Sequence, residues 1–208
     1  MMTDKRATTS VPIHSVLENR WSPRAFADKQ IADADLQALF EAARWAASSS
    51  NLQPWRFLLG FQGDDLYRKI LSHLASGNQE WARYAPVLMA TAVQKFRVAS
   101  NGSYRPNPHS WHDLGLAMGN LSAQATALGL HLHQMGGVNR EALAESFALD
   151  PEKYEVVSAV ALGYRSEDLE QLSPKNQDSE QALRRRKELS ELVTGPSFGG
   201  RLEELFPG

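Results

Sequence analysis

Apolar residues at Leu36, Leu39, Phe40, Ala43 and Ala47 recur at steps of three and four, so the spacing predicts a helix over 33–47 with Asp33 as its N-cap. The same pattern predicts helices over 12–19, 64–76 and 139–147. A longer one is expected over 111–128, where Leu114, Met118, Leu121 and Ala125 form a stripe and Ala117 and Gly119 let another helix come close. Between these helices lie continuous apolar runs at 55–60, 85–93, 131–134 and 154–162. They are short and bounded by Gly, Pro or polar turns, so they read as buried strands. The stretch 96–109 has no apolar period and holds Asn101, Gly102, Pro106 and Pro108, which predicts irregular loop. Beyond the last strand, 165–178 reads as charged loop, 179–187 as a basic stretch and 189–193 as a short apolar segment. Four or five strands alternating with at least five helices make an α+β or α/β sandwich, not a barrel or a bundle.

Composition narrows the class. The chain has 208 residues, 42% hydrophobic and 22% charged, which suits one domain over 11–208 behind a flexible polar tail at 1–10. That tail lacks the apolar stretch of a signal peptide, and no segment reaches the roughly 20 apolar residues of a membrane span. Lys plus Arg number 22 against 24 Asp plus Glu, so no global field draws nucleic acid, and any anion site has to be local. With no Cys, thiolate metal sites, iron–sulfur clusters and Cys nucleophiles are excluded, and a reducing cytoplasm is the expected compartment.

Four clusters could carry chemistry. Arg20, Ser22 and Arg24 alternate on a turn after a helix, placing two guanidiniums and a hydroxyl where an oxyanion could sit. Ser48, Ser49, Ser50 and Asn51 crowd hydroxyls and an amide between a helix and a strand, donors and acceptors fit for a heterocycle edge. Gly136 and Gly137 follow a strand and let the backbone approach a planar ligand. The run 184–187 is basic. Each alone has an ordinary explanation as a surface turn or a solvated face.

In this order and at these separations the four resemble the nitroreductase family of FMN-dependent oxidoreductases, over about 14–193. The resemblance implies an α+β fold with a mixed sheet among helices, and an intertwined homodimer with FMN at the subunit interface. It also implies NADH or NADPH as co-substrate and a small electron-poor acceptor such as a nitroaromatic or a quinone. Residue by residue, it assigns Arg20 and Ser22 to the phosphate and ribityl end, with Trp21 between them where many relatives carry a second Arg. Arg24 falls to the N1 and C2 carbonyl edge, where reduction gathers negative charge. Ser48, Ser49 and Asn51 would line the ring from the partner subunit, and Ala47 stands where the family often has Pro. Gly136 and Gly137 would aim N–H groups near N5, Asn78 would stand near the ring or ribityl chain, and Arg184 and Arg186 would close over the phosphate. No protein nucleophile is required.

His109, His112 and Asp113 lie close in sequence, but a fourth ligand is missing, so no metal is expected. His131 and His133 alternate on a strand and read first as satisfied structural histidines. Other readings are a same-fold flavoenzyme with a different reaction, such as a dehalogenase or dehydrogenase, and a noncatalytic flavin-binding module. Neither a nucleic-acid nor a membrane partner is expected.

Overall fold

The computed structural model describes residues 3–195. In chain order the elements are α1 (Ser15–Asn19), α2 (Asp33–Arg44), a 3-10 turn (Ser49–Asn51), β1 (Trp55–Phe61), α3 (Asp65–Ser72), α4 (Ser76–Ala82), β2 (Val87–Gln94), β3 (Phe96–Val98) and β4 (Tyr104–Pro106). They continue with α5 (Ser110–Ala127), β5 (His131–Met135), α6 (Arg140–Ser146), β6 (Tyr154–Gly163), α7 (Pro174–Gln181) and α8 (Leu189–Leu192).

The main sheet runs β1-β2-β6-β5. Its two central strands are the most apolar runs of the sequence because helices cover both their faces. Val87, Met89 and Val93 of β2 join Val160 and Leu162 of β6 beneath α2 and α5. Leu88, Ala90 and Ala92 join Val156, Ala159 and Ala161 beneath α3, α4 and α6. Continuous apolarity thus reports burial on both sides of the sheet. The register shifts between Thr91 and Ala92, and the Thr91 hydroxyl lies 2.9 Å from Ser158 Oγ and accepts the Ser158 N–H at 3.2 Å, satisfying buried polar groups at the irregularity.

The α+β class is as expected. Among the described residues, however, every strand pairing is antiparallel where a mixed sheet was expected, because β6 lies between β2 and β5 and runs against both. The expected loop 96–109 contains the β3–β4 hairpin, turned through Asn101 and Gly102. The expected helix 64–76 ends early, at Ser72: Asp64 caps α3 by accepting the Tyr67 N–H at 2.6 Å, and a separate helix, α4, which the pattern did not predict, begins at Ser76. Asp33 lies inside the first turn of α2 behind Ala32, so it meets the helix dipole and makes no cap hydrogen bond. The expected charged loop 165–178 gives way to α7, started by Pro174 in its first turn. The N-terminal tail is pinned at Lys5, which is buried and donates to the carbonyls of Ser179 and Ala182, while the Ala7 N–H bonds the Glu18 carbonyl at 2.9 Å. Residues 1 and 2 lie outside the described residues. No helix among the described residues is long and apolar enough to cross a membrane.

Candidate functional site

Residues 20–27 leave α1 in an extended path that is stitched to the end of β6. The Ala27 N–H bonds the Tyr164 carbonyl at 2.9 Å, the Ser166 N–H bonds the Ala25 carbonyl at 3.0 Å, and Phe26 bridges to Arg165. From β5, His133 Nδ1 reaches the Pro23 carbonyl at 3.0 Å; since a carbonyl only accepts, the ring is the Nδ1–H donor. The turn is therefore rigidly presented. On it, Arg20 is half-buried and its Nη1 lies 3.4 Å from Ser22 Oγ. Burial first, then the nearby charges of Arg184 and Arg186, press the Arg20 guanidinium below its ordinary pKa. Three like charges meet here.

Arg184 and Arg186 differ in their ties. Arg184 Nη1 donates to the carbonyls of Lys5 at 2.8 Å and Glu18 at 2.9 Å, so it fastens the C-terminal run to the N-terminal segment. Arg186 is exposed and, among the described residues, donates only locally, to the Arg185 carbonyl. Trp21 is buried in packing of its own: its ring meets His131 edge-on at 6.2 Å, with Lys5 Nζ 5.0 Å and Arg165 Cζ 5.2 Å from the ring centroid.

The second group gathers around α4. The Arg24 guanidinium carbon lies 5.9 Å from the centroid of the Trp81 ring, which stacks on Phe26 and meets His133 at 4.5 Å. The Arg24 backbone N–H donates to Glu180 Oε1 at 2.7 Å. Three residues before Trp81, Asn78 Nδ2 donates to the Gly137 carbonyl at 3.2 Å, and the Ala75 N–H bonds the same carbonyl at 2.9 Å. A Cβ on Gly137 would stand 2.8 Å from Asn78 Nδ2, so the glycine permits this close seating; Gly136 is exposed, with open space around it. Asn78 and Gly137 are thus in direct contact, and Arg24 reaches the same helix through Trp81.

Burial, reinforced by Arg165 and Arg20, holds His131 down to about 4. Burial likewise holds His133 at about 4, with Arg24 and Arg20 adding to the effect. Both rings are neutral near pH 7.

The third group stands apart from these. Ala47, Ser48, Ser49 and Asn51 follow α2, whose apolar face packs with α5, while Asn78 belongs to the opposite helical layer. Ser50, Asn51 and Gln53 have φ of 52°, 54° and 48°, a left-handed cluster that non-glycine residues adopt only when held. The restraints are visible: Ser48 Oγ accepts the Gln53 N–H at 3.0 Å, and Asp113 Oδ2 accepts the Ser49 N–H at 3.1 Å. His112 Nδ1 lies 3.3 Å from the other Asp113 oxygen. Asp113, His133 and Glu180 were missed as supports because each acts on a backbone group far away in sequence.

The sequence profile of the nitroreductase family matches residues 17–164. This chain belongs to the nitroreductase family. Among relatives, the major NAD(P)H-flavin oxidoreductase of Aliivibrio fischeri is 27% identical over 208 residues, covering 79% of this chain and 94% of that one. A crystal structure of an oxidoreductase containing FMN superposes with a TM-score of 0.87 at 29% identity, over 97% of this chain and all of that one. A nitroreductase family protein from Clostridium difficile shares the fold with a TM-score of 0.66 at 23% identity, over 88% of this chain and 96% of that one.

Proposed function

We propose that this nitroreductase family member is an FMN-dependent oxidoreductase that takes hydride from NADH or NADPH and delivers it to a small electron-poor acceptor such as a nitroaromatic or a quinone. The observation that carries the reading is the convergence of Arg20, Arg184 and Arg186 beside the 20–24 turn. Like charges crowded at a half-buried position are costly, and a phosphate among them turns repulsion into charge-assisted hydrogen bonding. The residues present fit such a group. Names of relatives point the same way, to NAD(P)H, flavin and FMN.

In this reading Arg20, Ser22 and Arg186 hold the phosphate, and Arg184 positions the C-terminal run. Trp21 supports the turn from behind, wedged between Lys5, His131 and Arg165. Arg24 sets a fixed positive charge toward the pyrimidine edge, Asn78 and the Gly136 and Gly137 backbone border the ring, and Trp81 backs Arg24. Ser48, Ser49 and Asn51, on the other helical layer, serve the site of a second copy, with Ala47 at the edge of their loop, which makes the working unit a homodimer. Bound flavin supplies the atom that accepts and gives hydride. The chain contributes binding, orientation and a preset electrostatic environment, and no side chain acts as nucleophile. A single domain over 11–208 and a cysteine-free sequence suit work in a reducing cytoplasm.

The test is spectroscopic. Purified protein incubated with FMN and freed of excess should be yellow, bleach anaerobically with NADH or NADPH, and recolour with a quinone or nitroaromatic. Colourless protein overturns the reading; colour that no nicotinamide bleaches leaves a binding module in its place.

A further inference from the structure

Glu180 is 3% exposed, on a helix whose other buried residue, Asn176, is also polar. One oxygen accepts the Arg24 N–H at 2.7 Å, while Oε2 is buried and makes no hydrogen bond among the described residues. Burial raises the Glu180 carboxyl above its ordinary value, against the pull of the Arg24 N–H and of the Arg24, Lys5 and Arg165 charges. A carboxylate with a bare oxygen in such a place is held by field more than by hydrogen bonds. The cations around it are themselves interlinked: Lys5 is acted on by Arg165, Arg184 and Arg24, and Arg20 by Arg184 and Arg186. Glu180 is the counter-charge inside this group.

We infer that Glu180 is a positioning residue that sets the electrostatic level at Arg24, fixing the Arg24 backbone through Oε1 while cancelling part of the positive potential its guanidinium presents to the flavin edge. This rests on the FMN reading above. An arginine at that edge favours reduced flavin, which carries the added negative charge. A carboxylate behind the arginine opposes this, holding the reduction potential lower than the cation cluster alone would set it. Glu180→Gln is the discriminating change, because its side-chain oxygen still accepts the Arg24 N–H and only the charge is lost.

The experiment is a redox titration of the FMN-loaded protein against a reference dye. Glu180→Gln is expected to raise the ratio of reduced to oxidised flavin about tenfold at fixed potential, about 30 mV for a two-electron couple. Glu180→Asp keeps the charge and stays near the parent, also covering the case in which the glutamine variant does not fold; Arg24→Ala shifts the potential the opposite way. A Glu180→Gln protein that holds FMN at the parental potential, or below it, overturns the assignment and leaves the FMN reading intact. A parent that takes up no FMN overturns both. A packing role alone would change the melting temperature and leave the potential unmoved.

Discussion

Asp113, one turn into α5, accepts the backbone N–H of Ser49 at 3.1 Å across 64 positions of sequence. That contact ties a nearly inaccessible carboxylate to a loop with three left-handed non-glycine residues. Such conformations cost on the order of 1–3 kcal/mol each and persist only where surrounding structure enforces them. Asp113→Ala is expected to cost about 1–3 kcal/mol of stability and to weaken FMN uptake, whereas Asp113→Asn, which keeps an acceptor, restores most of both. Urea denaturation and FMN titration measure the two effects, and an alanine variant as stable as the parent would show that the loop is held by other means.

The arginines should separate. Arg20→Ala removes a charge-assisted contact and should weaken FMN binding by about 1.5–3 kcal/mol, roughly ten- to a hundredfold in Kd. Arg186→Ala should weaken it with little change in melting temperature, because Arg186 is exposed and, among the described residues, bonds only to its neighbour. Arg184→Ala should lower the melting temperature most, since it frees the carbonyls of Lys5 and Glu18. Equal thermal losses for all three would contradict this division of work.

Acid sensitivity follows from His131 and His133, both held at about 4 in the fold. Unfolding returns each to about 6.5, so between those values the unfolded chain binds more protons and stability falls as pH falls. Above that window their contribution is intact; within it each histidine costs about 1.4 kcal/mol per pH unit. Glu180, raised by burial, works in the opposite sense. Melting temperatures from pH 7 to pH 4 should drop for the parent and drop less steeply for His131→Gln or His133→Gln.

Two glycines should respond differently to alanine. At Gly60 a Cβ would lie 2.2 Å from the Tyr67 backbone nitrogen, which cannot move without displacing α3 from β1. Gly60→Ala should fail to give soluble folded protein or lose several kcal/mol. At Gly137 the obstacle is the movable Asn78 amide, so Gly137→Ala should fold while breaking the Asn78 contact, and its bound FMN should show altered absorbance. Circular dichroism and flavin spectra distinguish the outcomes.

The central strands were legible because burial on both faces leaves an unbroken apolar run, and α5 because its stripe is long. Helix α7 was not, since the residues it buries, Asn176 and Glu180, are polar and leave no apolar period to detect. Short α4 left no signal because Ser76, Gly77 and Asn78 carry no hydrophobic rhythm. The hairpin around Asn101 and Gly102 read as irregular loop because its three-residue strands are too brief for alternation to register. In the site, Arg20, Ser22 and Arg24 could be picked out by their local spacing, and the resemblance brought Asn78 together with Gly137. Trp21 sits between Arg20 and Ser22 in sequence yet faces another direction, which only the path of the chain decides. Asp113, His133 and Glu180 act on main-chain groups of Ser49, Pro23 and Arg24, and main-chain geometry leaves no trace in residue type.

The stitching of residues 25–27 to residues 164–166 also orders events during synthesis. A ribosome releases the arginine turn early and its strand partner very late, so a nascent chain carries Arg20, Ser22 and Arg24 with nothing to shape them. In the proposed reading, loading of FMN waits until β6 has emerged, and a message truncated before that point encodes a polypeptide that has both arginines of the turn and no cradle.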